Sequence, residues 1–126
     1  MILVDTSIWI RYLANREPYA SRMSKLLDSD VVAGHELVQG ELLIGDSGGR
    51  RRFLVDTYDQ LRQAETVAHA EVVHFVRHHA LHGSGIGWVD AHLLASVRVG
   101  GMVLWTADAA LESAAKLLHV GYRLDA

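Results

Sequence analysis

The sequence predicts an α/β fold of three layers, in which a central, mainly parallel sheet lies between helices. Two observations support this class. Short apolar runs that suit buried strands alternate along the chain with segments whose apolar residues recur at helical spacing. Parallel neighbouring strands need crossover connections, which the intervening helices would supply. At 126 residues the chain is expected to form a single domain, residues 1–126.

The first half of the chain begins with a strand. Residues 1–4 form an apolar run rich in branched side chains, as in a strand buried on both faces. Thr6 is placed to cap the helix that follows, and Pro18 suits the start of a second helix. The other elements predicted in this half are a strand over residues 31–33, a helix over 35–44 and a glycine-rich loop, 45–49, that ends this helix.

Helices predominate in the second half. The spacing predicts a helix over residues 50–61 with four side chains turned inward, which are Phe53, Leu54, Thr57 and Leu61. The glycine-rich loop 83–87 leads into a helix that begins near Trp88 and whose apolar face carries Leu93, Leu94 and Val97. The other predicted elements are a helix over 68–82, a strand over 102–105, a helix over 106–118 and a last edge strand within 120–124.

The composition excludes several classes of protein. Half of the residues are apolar and 21% are charged, which is typical of a soluble globular protein. Without cysteine there is no disulfide and no thiolate metal site. Asp5 interrupts the apolar start, and no later run could span a bilayer, so we expect a cytoplasmic protein with no membrane partner. A formal charge of -3 argues against a broadly basic nucleic-acid-binding surface.

Two acidic residues follow predicted strands. Asp5 comes directly after the first strand, and Asp108 lies in the first turn of the helix that follows the strand ending at Trp105. In open parallel sheets ligands bind beyond the carboxyl ends of the strands, and both acids fall at that edge. An ionised carboxylate there needs a partner or a cation, because burying a bare charge is costly.

Two further acids are expected near the same edge. Helical spacing places Glu41 on the same face as Leu37 and Ile44, so its carboxylate is expected to point with the apolar stripe. Asp90 enters a helix directly after the glycine-rich loop. Structural explanations stay open: Asp90 and Asp108 can each cap a helix or stabilise its dipole, and Glu41 can be a partly exposed acid at a helix edge.

The charges of four such acids predict a divalent cation. Two like charges ~5 Å apart at an effective dielectric constant of ~20 repel by roughly 3 kcal/mol, so the cluster needs a counter-ion. Hard oxygen ligands favour Mg²⁺ or Mn²⁺, held by one or two carboxylates and several waters. Such ions organise the attack of water on a phosphodiester. The sequence therefore predicts metal-dependent phosphodiester hydrolysis.

Four segments of the chain carry a recognisable pattern. They are MILVDTS at residues 1–7, GEL at 40–42 with Gly45, GIGWVDAHLL at 85–94 and LWTAD at 104–108. In this order, and across nearly the whole chain, they closely resemble the PIN-domain ribonucleases, in particular the VapC-type toxins of prokaryotic toxin-antitoxin pairs. The resemblance implies a PIN-like fold.

The resemblance assigns roles to residues that match the family's motifs. The acidic quartet is Asp5, Glu41, Asp90 and Asp108, in which Asp5, Asp90 and Asp108 hold metal and Glu41 holds metal or orients its water. The supporting hydroxyls are Thr6 or Ser7, and Thr106, which would orient carboxylates or water. One departure is that Ala109, Ala110 and Leu111 follow Asp108, where many relatives have another acid, so a second metal ion is less secure than the first.

The same resemblance implies a function and its partners. We expect an endoribonuclease that depends on Mg²⁺ or Mn²⁺, hydrolyses RNA and acts as a toxin. It further implies a cognate antitoxin whose tail occludes the cleft, and a homodimer that assembles with the antitoxin into a larger complex. Two alternatives remain. A haloacid-dehalogenase-like phosphatase also has an aspartate after its first strand, but its partner acid stands two residues later, where this chain has Ser7. A PIN fold that serves only as a scaffold would not need all four acids.

Other residues suggest further sites. His74 and His78 stand four apart on a predicted helix, as zinc ligands can, but no acid or histidine completes a tetrahedral set, so a solvated helix face is favoured. His92 is turned away from Asp90 by helical spacing.

Basic and aromatic residues are candidate contacts for RNA. Arg50, Arg51 and Arg52 form a basic run that can be a solvated helix start or can contact phosphates, and Arg50 and Arg51 are the candidate contacts. Trp9 and Trp88 flank the acidic motifs, where an aromatic ring can stack an unpaired base, and Trp88 is the candidate because its glycine-rich approach suggests an exposed loop.

Overall fold

A computed structural model of the chain describes residues 1–124. Its centre is a four-stranded sheet in the order β3-β2-β1-β4, and every pair of neighbours is parallel. The strands are β1 (Ile2–Val4), β2 (Val32–Gly34), β3 (Arg62–Gln63) and β4 (Val103–Trp105). In β1, Leu3 is paired with Ala33 on one side and Leu104 on the other. The predicted parallel α/β class is confirmed.

Seven helices surround this sheet in the described part of the chain. They are α1 (Thr6–Leu13), α2 (Tyr19–Asp28), α3 (Glu36–Ile44), α4 (Arg51–Asp59), α5 (His69–His78), α6 (Trp88–Gly100) and α7 (Ala109–Leu117). A 3-10 turn, Gly48–Arg50, precedes α4. None of the helices within residues 1–124 has the length and apolar character needed to cross a membrane.

The core lies on both faces of the sheet. Leu3 and Leu104 are buried in the adjacent strands β1 and β4, Trp9 is buried on α1, and Leu93 and Leu94 are buried on α6. The predicted apolar face of α6 is therefore confirmed. Gly101 ends this helix in the left-handed conformation with φ of 63°, which glycine adopts without a steric penalty. Because β1 and β4 are adjacent and parallel, the segments that follow them leave the same edge of the sheet.

Several element boundaries differ from the prediction. Asp5, not Thr6, is the N-cap of α1, and Thr6 is the first helical residue. Residues 120–124 form no strand in the described chain beyond one bridge between Leu104 and Gly121. The short edge strand β3 was not predicted, because its two residues, Arg62 and Gln63, are exposed and polar and carry no apolar signal.

The inward face of α4 was predicted incorrectly in part. Phe53 is 41% exposed, whereas Tyr58 is buried. The buried stripe runs through Leu54 and Tyr58, four residues apart, because the Tyr58 hydroxyl bonds the backbone N–H and C=O of His35. Phe53 lies beside this stripe, and the Arg50 guanidinium lies 4.6 Å from its ring centre.

Candidate active site

Asp5 occupies the carboxyl end of β1 and is 6% exposed. Its backbone N–H donates to the carbonyl of Trp105 at 2.9 Å, which continues the pairing of β1 with β4. Its side-chain Oδ2 accepts two hydrogen bonds, from the Ser7 hydroxyl at 2.8 Å and from the Thr106 hydroxyl at 2.7 Å. The burial of this carboxylate is therefore offset by two donors at the ends of adjacent strands.

The two hydroxyls that hold Asp5 are themselves oriented by the backbone. Ser7 Oγ accepts from the N–H of Ala107 at 3.0 Å, and Thr106 Oγ1 accepts from the N–H of Asp108 at 3.0 Å. Each hydroxyl thus accepts from an amide and donates its proton to Asp5. This network fixes the start of α1 against the segment between β4 and α7.

Glu41 comes to the same edge from α3. Its Oε1 accepts from the Thr6 hydroxyl at 2.6 Å, so Thr6 supports Glu41 whereas Ser7 supports Asp5. The predicted orientation of Glu41 was wrong. The buried stripe of α3 consists of Val38 and Leu42, because this helix is rotated relative to the expected face.

The side chains that were expected to form an apolar face with Glu41 lie outside the core. Ile44 is 91% exposed, Leu37 is half-buried, and Glu41 itself is exposed.

Asp90 is half-buried in the first turn of α6, where its Oδ2 accepts from the N–H of Gly87 at 3.1 Å. Burial raises the pKa of Asp90. The Gly87 bond lowers this pKa in part, and the charges of Asp5, Asp108 and Glu41 raise it further. Asp5, Asp108 and Glu41 therefore lie within electrostatic range of Asp90.

The loop before Asp90 is packed against the helix that carries the fourth acid. Gly85 has φ of +87°, and a Cβ added there would lie 3.3 Å from the Cβ of Ala110 on α7. Glycine allows both the backbone conformation and this close approach.

Asp108 is the N-cap of α7, and its Oδ2 accepts from the N–H of Leu111 at 2.9 Å. Helix capping thus accounts for one carboxylate oxygen of Asp90 and one of Asp108. The second oxygen of each accepts no hydrogen bond within residues 1–124. Helix capping and membership of the acidic cluster are therefore compatible.

The donor set of this cluster fits a hard divalent cation. All four side chains offer carboxylate oxygens. The salt bridges found within residues 1–124 join Arg52 to Asp56 and Arg62 to Asp30, so no basic side chain described here neutralises the quartet. No three acids or histidines in the described part of the chain already surround a point with metal-binding geometry. An ion held by one or two carboxylates and several waters suits this open arrangement.

The PIN domain family model matches residues 2–117. The chain belongs to the PIN-domain family. Ribonuclease VapC32 of Mycobacterium tuberculosis, from strain CDC 1551 / Oshkosh and from strain ATCC 25618 / H37Rv, is 44% identical over 115 residues, which cover 90% of this PIN domain and 90% of that protein. The predicted VapC-type ribonuclease is confirmed, and the haloacid-dehalogenase-like alternative is excluded.

Two solved structures share the fold of this PIN domain. PAE2754 from Pyrobaculum aerophilum has a TM-score of 0.61 and 18% identity, with coverage of 89% of this chain and 77% of that one. FitAcB from Neisseria gonorrhoeae has a TM-score of 0.61 and 20% identity, with coverage of 92% of this chain and 94% of that one. These matches confirm the predicted PIN-like architecture.

The aromatic and basic candidates have different environments. Trp9 is fully buried and cannot stack a base, whereas Trp88 is 44% exposed. Arg50 is half-buried, bonds the carbonyl of Leu13 and covers aromatic rings of the protein, which favours a structural role. Arg51 is exposed and donates to the Leu43 carbonyl at 2.9 Å.

Two histidines, His74 and His78, lie on the solvated face of α5. His74 and His78 are exposed and stack with ring centres 5.9 Å apart. No metal-binding group of three that includes them is found among residues 1–124. The solvated face predicted for this helix is confirmed.

Proposed function

We propose that this PIN domain is a Mg²⁺- or Mn²⁺-dependent endoribonuclease that acts as the toxin of a toxin-antitoxin pair. The PIN family is typically metal-dependent, and the matched relative is named a ribonuclease. One observation carries the proposal: Thr6 bonds Glu41, Ser7 and Thr106 bond Asp5, and Thr106 also accepts from the N–H of Asp108, so acids from three segments of the chain meet at the carboxyl ends of β1 and β4. The charges of these three acids also raise the pKa of Asp90. When bound there, the ion activates water as the nucleophile and polarises the phosphoryl oxygens.

In this proposal the acids hold the metal ion, and neighbouring hydroxyls orient the acids. Asp5, Asp90 and Asp108 hold the ion, and Glu41 holds it or orients the attacking water. Asp5 is the best fixed of these, because two hydroxyls bond its Oδ2. Its Oδ1 accepts no hydrogen bond from residues 1–124, which leaves this oxygen for the ion. The supporting hydroxyls set the orientations of the carboxylates before substrate arrives. Thr6 orients Glu41, whereas Ser7 and Thr106 orient Asp5.

The proposed contacts to RNA lie around this cluster. Trp88 is two residues from Asp90, and its exposed ring can stack an unpaired base. Arg51 is exposed and can meet a phosphate, which positions RNA without reading its sequence. Arg50 stays a predicted contact, although its bonds to the protein support a structural role.

An apolar groove beside Glu41 supports the antitoxin as a partner. The groove has a volume of about 330 Å³ and lies between α1 and α3, and its lining includes Glu41 and Ile10. Ile10 is 57% exposed, and nearby on α3 Leu43 and Ile44 are 40% and 91% exposed. Exposed apolar surface of this kind is typical of a protein-binding site. A bound antitoxin segment would cover Glu41. The homodimer and its larger complex with antitoxin stay predictions from the family.

The decisive experiment uses purified protein and total cellular RNA in three conditions: wild type with Mg²⁺, wild type with EDTA, and the Asp5→Asn variant with Mg²⁺. We expect cleavage in the first only. Asp59→Asn, which removes an exposed acid at the end of α4, is the matched control and should cleave like wild type. Equal cleavage in all three conditions would contradict the mechanism and indicate a contaminating nuclease.

A binding measurement distinguishes the proposed nuclease from a PIN domain that serves only as a scaffold. A PIN domain that has kept its ion site is stabilised by Mg²⁺, because an ion that binds only the folded state shifts the folding equilibrium. We expect added Mg²⁺ to raise the Tm of the wild type and to raise that of Asp5→Asn less. A wild-type Tm that does not respond to Mg²⁺ would support the scaffold.

A further inference from the structure

A second cavity opens at the carboxyl end of β4. This cleft has a volume of about 650 Å³, and its walls are the carboxyl end of β4, helix α7 and the segment 119–124. Thr106, whose hydroxyl holds Asp5, lies in its wall. None of the four acids lines the cleft, but Thr106 links its wall to Asp5, so the cleft lies next to the acidic cluster.

The side chains of the cleft are aromatic and basic. Tyr19 and Tyr122 line it and are half-buried, so part of each ring faces solvent. Lys116 and Arg123 line it and are exposed, and Glu112 is the acid among its described lining residues. Flat rings beside cations are the combination that grooves for single-stranded nucleic acid use.

Two further arginines stand directly behind the tyrosines. The Arg11 guanidinium lies 5.5 Å from the ring centre of Tyr19 and donates to the carbonyl of Ser7. Arg22 donates to the Tyr122 hydroxyl at 3.2 Å and to the carbonyl of Leu124 at 2.7 Å.

These hydrogen bonds leave the positive charge of the cleft in place, because every acceptor is neutral. None of the four cations, Arg11, Arg22, Lys116 and Arg123, is in a salt bridge within residues 1–124. The chain as a whole has a formal charge of -3. A local excess of positive charge on an acidic protein attracts a polyanion to that place.

We propose that this cleft binds the single-stranded RNA segment next to the scissile phosphate. Lys116 and Arg123 contact backbone phosphates, and Tyr19 and Tyr122 pack against an unpaired base. The inference rests on the proposed nuclease function and names the path of its substrate. RNA is favoured over an acidic protein segment because Thr106, which lines the cleft, also bonds Asp5 of the acidic cluster.

The test measures RNA binding without cleavage. Fluorescence anisotropy of a labelled, short single-stranded RNA is recorded in EDTA over a series of salt concentrations, with wild type, Lys116→Gln, Arg123→Gln and the double variant. Each lost phosphate contact should lower the log–log salt slope by about 0.7. Arg77→Gln removes an exposed cation on α5 and is the matched control, which should bind like wild type. Cleft variants with the wild-type slope and affinity would overturn the proposal.

The aromatic part of the cleft is tested separately. Tyr122→Ala should weaken RNA binding by roughly 5- to 150-fold, the loss expected for one stacked base. Tyr122→Phe keeps the ring and should bind like wild type. Equal binding by Tyr122→Ala and wild type would overturn the stacking role.

The two proposals fail in different ways. If wild type cleaves RNA with Mg²⁺ and the cleft variants raise KM with kcat retained, both are supported. If wild type cleaves and the variants keep its KM, the cleft proposal is overturned and the nuclease stands. If the wild type binds RNA through the cleft but cuts none, the cleft proposal is supported and the nuclease fails. If the variants lose binding of a polyglutamate peptide but keep that of RNA, the cleft is a protein-docking site and the proposal is overturned.

Discussion

The hydroxyl of Thr106 donates to the carboxylate of Asp5 across 2.7 Å, and this bond joins the ends of β4 and β1. Because Ser7 donates to the same oxygen, two hydroxyls of the protein orient the Asp5 carboxylate. A buried carboxylate with two donors is less costly than a bare one. The acid that follows the first strand is thus held ready for its ligand.

The Asp5–Thr106 bond gives the first prediction. Thr106→Val keeps the shape of the side chain but removes one donor to Asp5 and the acceptor for the N–H of Asp108. We expect RNA cleavage to fall roughly 10- to 100-fold and the free energy of unfolding to fall by about 1–3 kcal/mol. Cleavage assays and urea denaturation measure the two effects. Thr106→Ser, which restores the hydroxyl, should recover cleavage, and wild-type cleavage by Thr106→Val would contradict the role.

Asp90→Asn tests whether the acidic cluster is under electrostatic strain. Burial and the neighbouring acids raise the pKa of Asp90, so the folded state holds its proton more tightly than the unfolded state. Its stabilising contribution is therefore present at low pH and is lost as pH rises through the raised pKa. Asparagine has no charge and can still accept from the N–H of Gly87.

In EDTA at neutral pH, Asp90→Asn should melt no lower than wild type while losing RNA cleavage. The difference in Tm should shrink as pH falls toward the ordinary pKa of 3.8. Thermal melts at several pH values measure it, with Asp59→Asn as the exposed control. A large drop in Tm at neutral pH would mean that capping of α6 is the main role of Asp90.

The environment of His35, a residue outside the acidic quartet, predicts that the stability of the protein depends on pH. It is fully buried, its Nδ1 accepts from the N–H of Leu37 at 3.1 Å, and its Nε2 lies 3.0 Å from Ser96 Oγ. Burial lowers its pKa, the charge of Glu36 raises it in part, and His92 lowers it. The unfolded chain then binds a proton near the ordinary value of 6.5 while the folded chain does not.

Stability from His35 is accordingly present above pH 6.5 and is lost as pH falls through the window between 6.5 and its lowered pKa. His35→Asn keeps an N-cap residue and removes the titration. We expect the loss of Tm on acidification through this window to be smaller in His35→Asn than in wild type, even where the variant is less stable overall. His82→Asn, at an exposed site, should follow wild type. Parallel curves for wild type and His35→Asn would contradict this assignment.

The sequence predicts the position of an acid best where that acid follows a buried strand. Asp5 and Asp108 follow strands that are apolar throughout, and the carboxyl-end rule then locates them without tertiary information. Glu41 was placed less well. Apolar residues occur on several sides of α3, among them Leu37, Val38 and Leu42, so helical spacing alone could not choose the buried face.

The basic cleft could not be predicted from the sequence. Tyr19, Lys116 and Tyr122 come from the two ends of the chain and carry no shared motif. The parallel pairing of β1 with β4 brings these ends together, and only this tertiary arrangement assembles the cleft. Phosphate-binding surfaces of this kind depend on summed charge and not on spacing.

Trp88 is predicted to contribute to RNA binding more than to stability. Its ring centre lies 5.1 Å from those of His69 and His92, and 44% of the residue is exposed. Trp88→Ala should raise KM for RNA by roughly 5- to 150-fold if one base stacks there, with a change in unfolding free energy of about 0.5 kcal/mol or less. Trp88→Phe should restore most of the affinity. A wild-type KM for Trp88→Ala would contradict base stacking.

The exposed side chain of Ile44 allows a test of whether the antitoxin binds at the end of α3. The side chain is 91% exposed at the end of α3, three residues after Glu41, so Ile44→Lys should change the unfolding free energy by about 0.5 kcal/mol or less and leave RNA cleavage intact. Ile44 does not itself line the apolar groove, but Gly45 does. If the antitoxin covers the groove and extends over the end of α3, the lysine would have to bury its charge, and we expect the affinity for the cognate antitoxin to fall by at least roughly 10-fold. Calorimetric titration with antitoxin measures this loss.

The matched control for Ile44→Lys is Val99→Lys. Val99 is 59% exposed near the end of α6, on an element that does not line the groove. This control introduces the same charge on an exposed apolar position, so a general effect of charge on the complex would weaken both variants equally. A loss confined to Ile44→Lys places the antitoxin over the end of α3, next to the groove that Glu41 lines, and RNA cleavage by that variant should then resist inhibition by added antitoxin. Equal affinities for both variants and wild type would assign the antitoxin to another face.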